Sequence, residues 1–211
     1  MTNLLIIAKQ PLPGRVKTRL SPRYSPAEAA RLAEAALSDT LTVAAGLAAE
    51  RRVLVLDGEP GDWLPSGFEV IPQHGHGLDE RLANAFDDCG GTSLLIGMDT
   101  PQVTHEMLAP VVESGDWDCD AWFGPAADGG FWALGLRRPD RRLLLGVPMS
   151  QDHTGVVQRQ RLVDVGLRVR DLLPLRDVDT PGDVDTVAAL APDSRFAATA
   201  RRLRHPRKAA A

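Results

Sequence analysis

The stretch Asn3–Leu20, "NLLIIAKQPLPGRVKTRL", decides the fold. Its first residues, Asn3–Ala8, are a short apolar run ended by a Pro/Gly loop, the pattern of a buried strand. The loop that follows carries Lys9, Arg15, Lys17 and Arg19. Pro11, Pro13 and Gly14 stiffen and turn it, which limits the entropy lost when a ligand binds. Four cations on a stiff loop with free backbone amides suit a di- or triphosphate. The loop is neither GxxxxGK[ST] nor GxGxxG, so it follows neither the Walker nor the dinucleotide pattern.

Strands and helices alternate outward from this point. "RVLVLD" (Arg52–Asp57), "FEVIP" (Phe68–Pro72) and "SLLIGMD" (Ser93–Asp99) read as further strands. Ser25-Pro26-Ala27-Glu28 is a capping box with Pro at the first helical position. It opens a helix with apolar residues at Ala30, Ala33, Leu37, Leu41, Ala44 and Leu47, close to helical period. Helices are expected over Leu78–Asp88, His105–Ser114 and Thr154–Gly166, and from a cap at Thr180-Pro181-Gly182-Asp183 to Leu190. "CDAWFGPA" and "GFWALGL" flank the loop Ala126–Gly130, and "LRVRDL" is strand-like. Such alternation implies a three-layer α/β/α, Rossmann-like architecture with a mostly parallel sheet. Residues 1–200 are expected to form a single domain, with 201–211 a basic, frayed tail; "ARRLRHPRKAAA" reads as a basic helix end followed by the frayed terminus. Ligands of such sheets bind beyond the carboxyl ends of the strands.

Composition narrows the partners. The chain has 211 residues, 44% of them apolar, and a net charge of −4. A mildly acidic balance argues against bulk binding to nucleic acid, which needs a basic face. No apolar run approaches a membrane span. The opening MTNLLIIAKQ lacks the n-region and cleavage site of a signal peptide. Cys89 and Cys119 make no disulfide framework, so a reduced, cytoplasmic setting is expected, with both thiols serving packing or lying inert. Oligomeric state is not legible. The basic residues are overwhelmingly Arg; lysine occurs only at Lys9, Lys17 and Lys208. Two of the three sit in the opening stretch, where a compact point charge replaces a planar fork.

Three further loops carry chemistry. Asp99 ends a buried strand in "GMDTP", where a carboxylate can reach a metal or ligand or simply cap a turn. Asp177 and Asp179 in "RDVDTPGDV" are two apart and share a face if extended. Such a pair can hold Mg²⁺ through hard oxygens, with water and phosphate completing the shell, or can be a solvated acidic turn. In "GPAADGGFWALGL", Asp128-Gly129-Gly130 reads either as a hairpin turn or as a substrate loop. In the second case the glycines permit close approach, Asp128 bonds a hydroxyl or acts as base, and Phe131 or Trp132 faces substrate.

The ordered set AKQPLPGRVKTRL, Q…LDERL, IGMDTP, GPAADGGFWALGL and DVDTPGD resembles the small bacterial glycosyltransferases of the rSAM/selenodomain-associated transferase type. These have the nucleotide-diphospho-sugar transferase (GT-A-like) fold. The resemblance covers about Leu4 to Leu190. The pattern is also similar, more distantly, to 2-phospho-L-lactate guanylyltransferase. By this resemblance Ala8, Lys9, Gly14, Lys17 and Arg19 bind nucleotide. Gln73 and the Leu78–Arg81 segment lie near it, Asp99 binds metal, and Asp177 and Asp179 complete that site with Mg²⁺ or Mn²⁺. The spacer before the second helix departs from the family's Gly- and Asp-rich form and reads "HGHGLDE". His74 and His76 there lack further ligands for zinc.

Three readings follow. The leading one is glycosyl transfer from a nucleotide-sugar to a small-molecule acceptor, with Lys17 and Arg19 assisting the leaving diphosphate and Asp128 as base. The second is nucleotidyl transfer from a nucleoside triphosphate to a phosphorylated small molecule. The third is a non-catalytic binder, against which the two acidic motifs argue.

Overall fold

One sheet of seven strands runs through the molecule, in a computed structural model that describes residues 1–204. The strands are β1 (Asn3–Lys9), β2 (Arg52–Asp57), β3 (Glu69–Pro72), β4 (Ser93–Gly97), β5 (Ala121–Pro125), β6 (Phe131–Leu136) and β7 (Val169–Asp171). Their order is β3-β2-β1-β4-β6-β5-β7, and every pairing is parallel except those of β6. β6 returns from β5 as a hairpin and inserts itself against β4, which makes the sheet mostly parallel, as expected.

The continuous apolar runs have a two-sided cause. Leu4, Ile6 and Ala8 of β1 pack into one core layer, while Leu5 faces the other. With both faces covered, alternation with polar residues disappears. Helix α1 (Pro26–Ala45) and helix α3 (His105–Val112) cover the first face; α2 (Leu78–Cys89) and α4 (Thr154–Asp164) cover the second. The capping box at Ser25 forms in full: its hydroxyl accepts from Glu28 N, and the Glu28 carboxylate accepts from Ser25 N at 2.8 Å. Thr180 and Asp183 repeat this at α5 (Pro181–Leu190).

The expected tail boundary at 200/201 falls inside α6 (Arg195–Arg204), which packs on α1 and α5 through Phe196, Ala197 and Ala200. Residues 205–211 of that tail lie outside the described residues. Both cysteines are free, with Cys119 buried in the core. Among the described residues no helix is long and apolar enough to cross a membrane.

β1 is the pivot of the topology. Its successor β2 lies on one side and β4 on the other, so the loops leaving β1 and β4 diverge at their carboxyl ends and open a crevice. The cationic loop and Asp99 both start at that crevice. The far end of the chain is fastened by Asp39 of α1, whose two oxygens accept from Arg195 N at 3.1 Å and Phe196 N at 2.8 Å. Asp39→Ala should therefore lower unfolding free energy in urea by about 1 kcal/mol, the usual worth of such a cap. An unchanged urea midpoint would show that α6 does not depend on it.

Candidate active site

The crevice is an open cleft of about 990 Å³. Val16 and Leu20 explain how the cationic loop holds its shape. Val16 is buried against the α1/α3 layer and Leu20 against α1, α5 and α6, so Lys17 is clamped between two apolar anchors. Lys17 itself adopts the left-handed backbone region, φ 50° and ψ 38°. This turns its side chain into the crevice, where only 8% of it is exposed.

The Lys17 ammonium lies 2.7 Å from Asp99 Oδ2 and 2.9 Å from Asp179 Oδ1. Burial alone would lower its pKa, but the two carboxylates outweigh burial and hold it above its ordinary value, so the lysine is charged. Asp179 Oδ2 also meets Arg19 Nη1 at 3.5 Å. One backbone bond and one side-chain bond bring these distant segments together: Val178 N donates to Asp99 O at 3.0 Å, and Gln102 Nε2 to Arg176 O at 2.8 Å. Asp183 supports the same loop, accepting from Asp179 N and Thr180 N while pairing with Arg176.

Among the described residues two buried carboxylate oxygens, Asp99 Oδ1 and Asp177 Oδ1, accept no hydrogen bond. Buried orphan carboxylate oxygens fit a hard divalent cation, which takes oxygen ligands and fills its other positions with water and phosphate. Among the described residues no three His, Cys, Asp or Glu side chains form a complete metal site by themselves. Asp179, expected from the resemblance to share in metal binding, has both oxygens turned to Lys17 and Arg19.

The other expected residues divide as follows. Ala8, Lys9, Arg15, Gln73, Leu78, Asp128, Gly130 and Phe131 all line the cleft; Gly14 and Gly129 do not. Gln73 is spent structurally. Its amide donates to Ala8 O at 2.7 Å and Val55 O at 3.0 Å, and its oxygen accepts from Arg81, so it ties β1 to β2 beneath the ligand space. His74 pairs with Asp88 at 2.8 Å, whereas His76 lines the cleft. Trp132 also lines the cleft but is buried, donating its indole N–H to Leu173 O at 3.1 Å, so Phe131 is the more open of the two aromatics there.

The segment Met149–Thr154, to which sequence reasoning assigned no role, forms much of the remaining wall. Glycine makes its placement achievable. Gly155 N donates to Gly129 O at 2.8 Å, and a Cβ on Gly155 would stand 2.3 Å from Gly130 O. The start of α4 thus presses directly on the Asp128–Gly130 turn. The only sequence signal for this contact was a glycine in the first turn of a helix.

Comparison with known proteins can be set against this geometry. A family model described as "Uncharacterized protein conserved in bacteria (DUF2064)" matches residues 29–151. The chain belongs to the DUF2064 family. Among solved structures, this DUF2064 chain is 25% identical to one described as a "putative nucleotide-diphospho-sugar transferase" from Desulfovibrio desulfuricans G20. The TM-score is 0.78, covering 96% of this chain and 99% of that one. The fold is that of nucleotide-diphospho-sugar transferases, as the motifs implied. The same fold appears in a CMP:2-keto-3-deoxy-manno-octonic acid synthetase complexed with CTP (12% identity, TM-score 0.56, 91% and 99% covered). It appears again in 2-C-methyl-D-erythritol 4-phosphate cytidylyltransferase from Thermus thermophilus (18%, 0.55, 91% and 100%). No curated protein sequence matches significantly.

The cleft makes a pH signature. Burial pushes the Asp177 carboxyl up to about 7; the Asp99 and Asp128 charges add to this and Lys17 opposes it. A carboxylate pKa raised by folding favours the protonated form, so the ligand-free protein loses stability as pH rises from about 4 toward 7. Asp177→Asn should remove that loss, making the variant more stable than the parent at neutral pH and no better near pH 4. Stability–pH curves that stay parallel would contradict this.

Proposed function

We propose that the protein is a transferase using a nucleotide-activated donor, and that it moves a glycosyl group from a nucleoside diphosphate sugar to a small-molecule acceptor. One observation carries this reading. A buried, charged lysine bridges Asp99 and Asp179 at the crevice between β1 and β4, beside orphan oxygens of Asp99 and Asp177. Likeness in fold and partial identity to a nucleotide-diphospho-sugar transferase support it.

In this reading the donor's diphosphate lies against the cationic loop. Lys9 and Arg15 line the cleft and form no ion pair among the described residues, so they are free to meet phosphate oxygens. Arg19 is largely exposed and only loosely paired, and turns to the same ligand. Asp99 and Asp177 would hold Mg²⁺ or Mn²⁺ through their orphan oxygens. When bound, that ion supplies Lewis-acid neutralisation of the diphosphate charge. Asp179 keeps Lys17 and Arg19 oriented. The acceptor hydroxyl attacks the anomeric carbon, the bond from that carbon to the phosphate oxygen breaks, and the oxygen leaves with the electron pair. Asp128 takes the hydroxyl proton; its Oδ1 is fixed by Gly130 N at 2.9 Å. Cations placed in advance need no reorganisation as charge builds on the leaving group.

A second reading is nucleotidyl transfer with release of pyrophosphate. The cations on the loop favour it, since a triphosphate tail offers a further phosphate for Lys9, Arg15 and Arg19 to meet.

The test is a thermal-shift panel of nucleotides and nucleotide-sugars, each with and without Mg²⁺. A bound ligand at a hundred times its dissociation constant adds about 2.7 kcal/mol of stability. At least one nucleotide should raise Tm, more so with Mg²⁺. Arg19→Ala, an exposed and fold-neutral change, should cut turnover about tenfold or more, since one lost charge contact to the leaving group removes at least about 1.4 kcal/mol of stabilisation. Silence across the panel would remove both enzyme readings.

A further inference from the structure

The two walls of the cleft carry opposite charge. The wall over the ends of β1 to β3 presents Lys9 and Arg15, which meet no carboxylate among the described residues, and the loosely paired Arg19, while Lys17 and Arg81 there are matched by Asp99, Asp179 and Asp57. The wall over β4, β6 and β5 presents Asp128 and Asp152, interleaved with Phe131, Ser150 and Gln151. The arginine near this second wall is already matched, Arg176 Nη1 lying 2.9 Å from Asp183 Oδ1. Among the described residues, this wall therefore has no unpaired cation.

The wall is also preformed. Gly155 N clamps the turn at Gly129 O, Gln151 N donates to Thr154 Oγ1 at 3.0 Å, and Thr154 Oγ1 donates to Pro148 O at 2.7 Å. These bonds use backbone atoms and the threonine. They leave the Ser150 hydroxyl, the Gln151 amide and Asp128 Oδ2 without partners among the described residues. A hydroxyl, an amide and carboxylates beside an aromatic ring recognise hydroxyl or ammonium groups on a ring or short carbon chain. The carboxylates repel phosphate, whose sites are built mainly from Arg and Lys or from converging backbone N–H groups.

We propose that this wall is the acceptor subsite, and that it takes a hydroxyl- or amine-bearing acceptor that carries no phosphate. A phosphorylated acceptor would bring a dianion against Asp128 and Asp152, where that wall has no unpaired cationic side chain among the described residues to meet it. The inference rests on the reading that the cationic wall takes the donor nucleotide. It sets aside the form of nucleotidyl transfer in which the acceptor is phosphorylated.

The test uses matched probes: glycerol and glycerol 3-phosphate, glucose and glucose 6-phosphate, glucosamine and glucosamine 6-phosphate. Each is added with Mg²⁺ and the nucleotide-sugar that gives the largest Tm shift, and release of nucleoside diphosphate is followed together with product mass. Unphosphorylated members should stimulate release at least tenfold more than their phosphorylated partners. In Asp152→Lys that ratio should fall at least fivefold. The proposal is overturned if phosphorylated members are preferred. It is overturned equally if neither set stimulates release while the nucleotide-sugar still raises Tm. If no nucleotide-sugar raises Tm, the donor reading falls as well, and the two failures are thereby told apart.

Discussion

The contact between Lys17 and the carboxylates of Asp99 and Asp179 is the constraint around which the rest is arranged. It joins three segments far apart in sequence: the loop after the first strand, the end of the central strand and the turn before α5. Taking an ammonium and carboxylates out of water is expensive, and a buried ion pair often fails to outperform apolar packing. Lys17 adds a left-handed backbone, which costs on the order of 1 kcal/mol for a residue with a side chain. Two apolar anchors, one backbone bond, the Gln102 side-chain bond and a capping box hold this arrangement in place. A chain that carries such a local burden at the crevice of its sheet is best explained by ligand chemistry there.

The sheet topology turns that one contact into a two-sided site. Because β2 and β4 lie on opposite sides of β1, the cationic loop and the Asp99 loop face each other across open space. Because β6 runs against its neighbours, the β5–β6 turn lies at the same end of the sheet as the carboxyl ends of β1 and β4. That places Asp128 beside Asp99 and Asp177 and separates the positive wall from the negative one. The separation matches a donor with a charged diphosphate and an acceptor without one.

Much of this was legible in the sequence because it rests on local rules. The capping boxes at Ser25 and Thr180 and the strand Arg52–Asp57 appear where their residue patterns place them. Asp99 and Asp177 were marked by their place in the alternation of strands and loops. Other features depend on contacts that no spacing encodes. The strand Ser93–Asp99 stops at Gly97, freeing Asp99 to meet Lys17. Gln73 looked like a ligand contact, but the ends of two parallel strands consume its amide. Asp179 looked like a metal ligand, but the lysine opposite it, invisible to local pattern, claims its carboxylate. The Met149–Thr154 wall has no periodicity or motif; only its packing on the Gly129–Gly130 turn defines it. The helix end from Ala200 was legible, but the start of α6 at Arg195 and its packing were not, because its arginines read as a tail whereas Phe196 and Ala200 bury its other face.

The most direct measurement is a crystal structure with a nucleoside diphosphate and Mn²⁺, using the anomalous signal of manganese. The account predicts the diphosphate against Lys9, Arg15 and Arg19, with an anomalous peak at the carboxylate oxygens of Asp99 and Asp177. A nucleotide bound on the Asp128–Asp152 wall, or manganese absent from Asp99 and Asp177 while the diphosphate is bound, would contradict it.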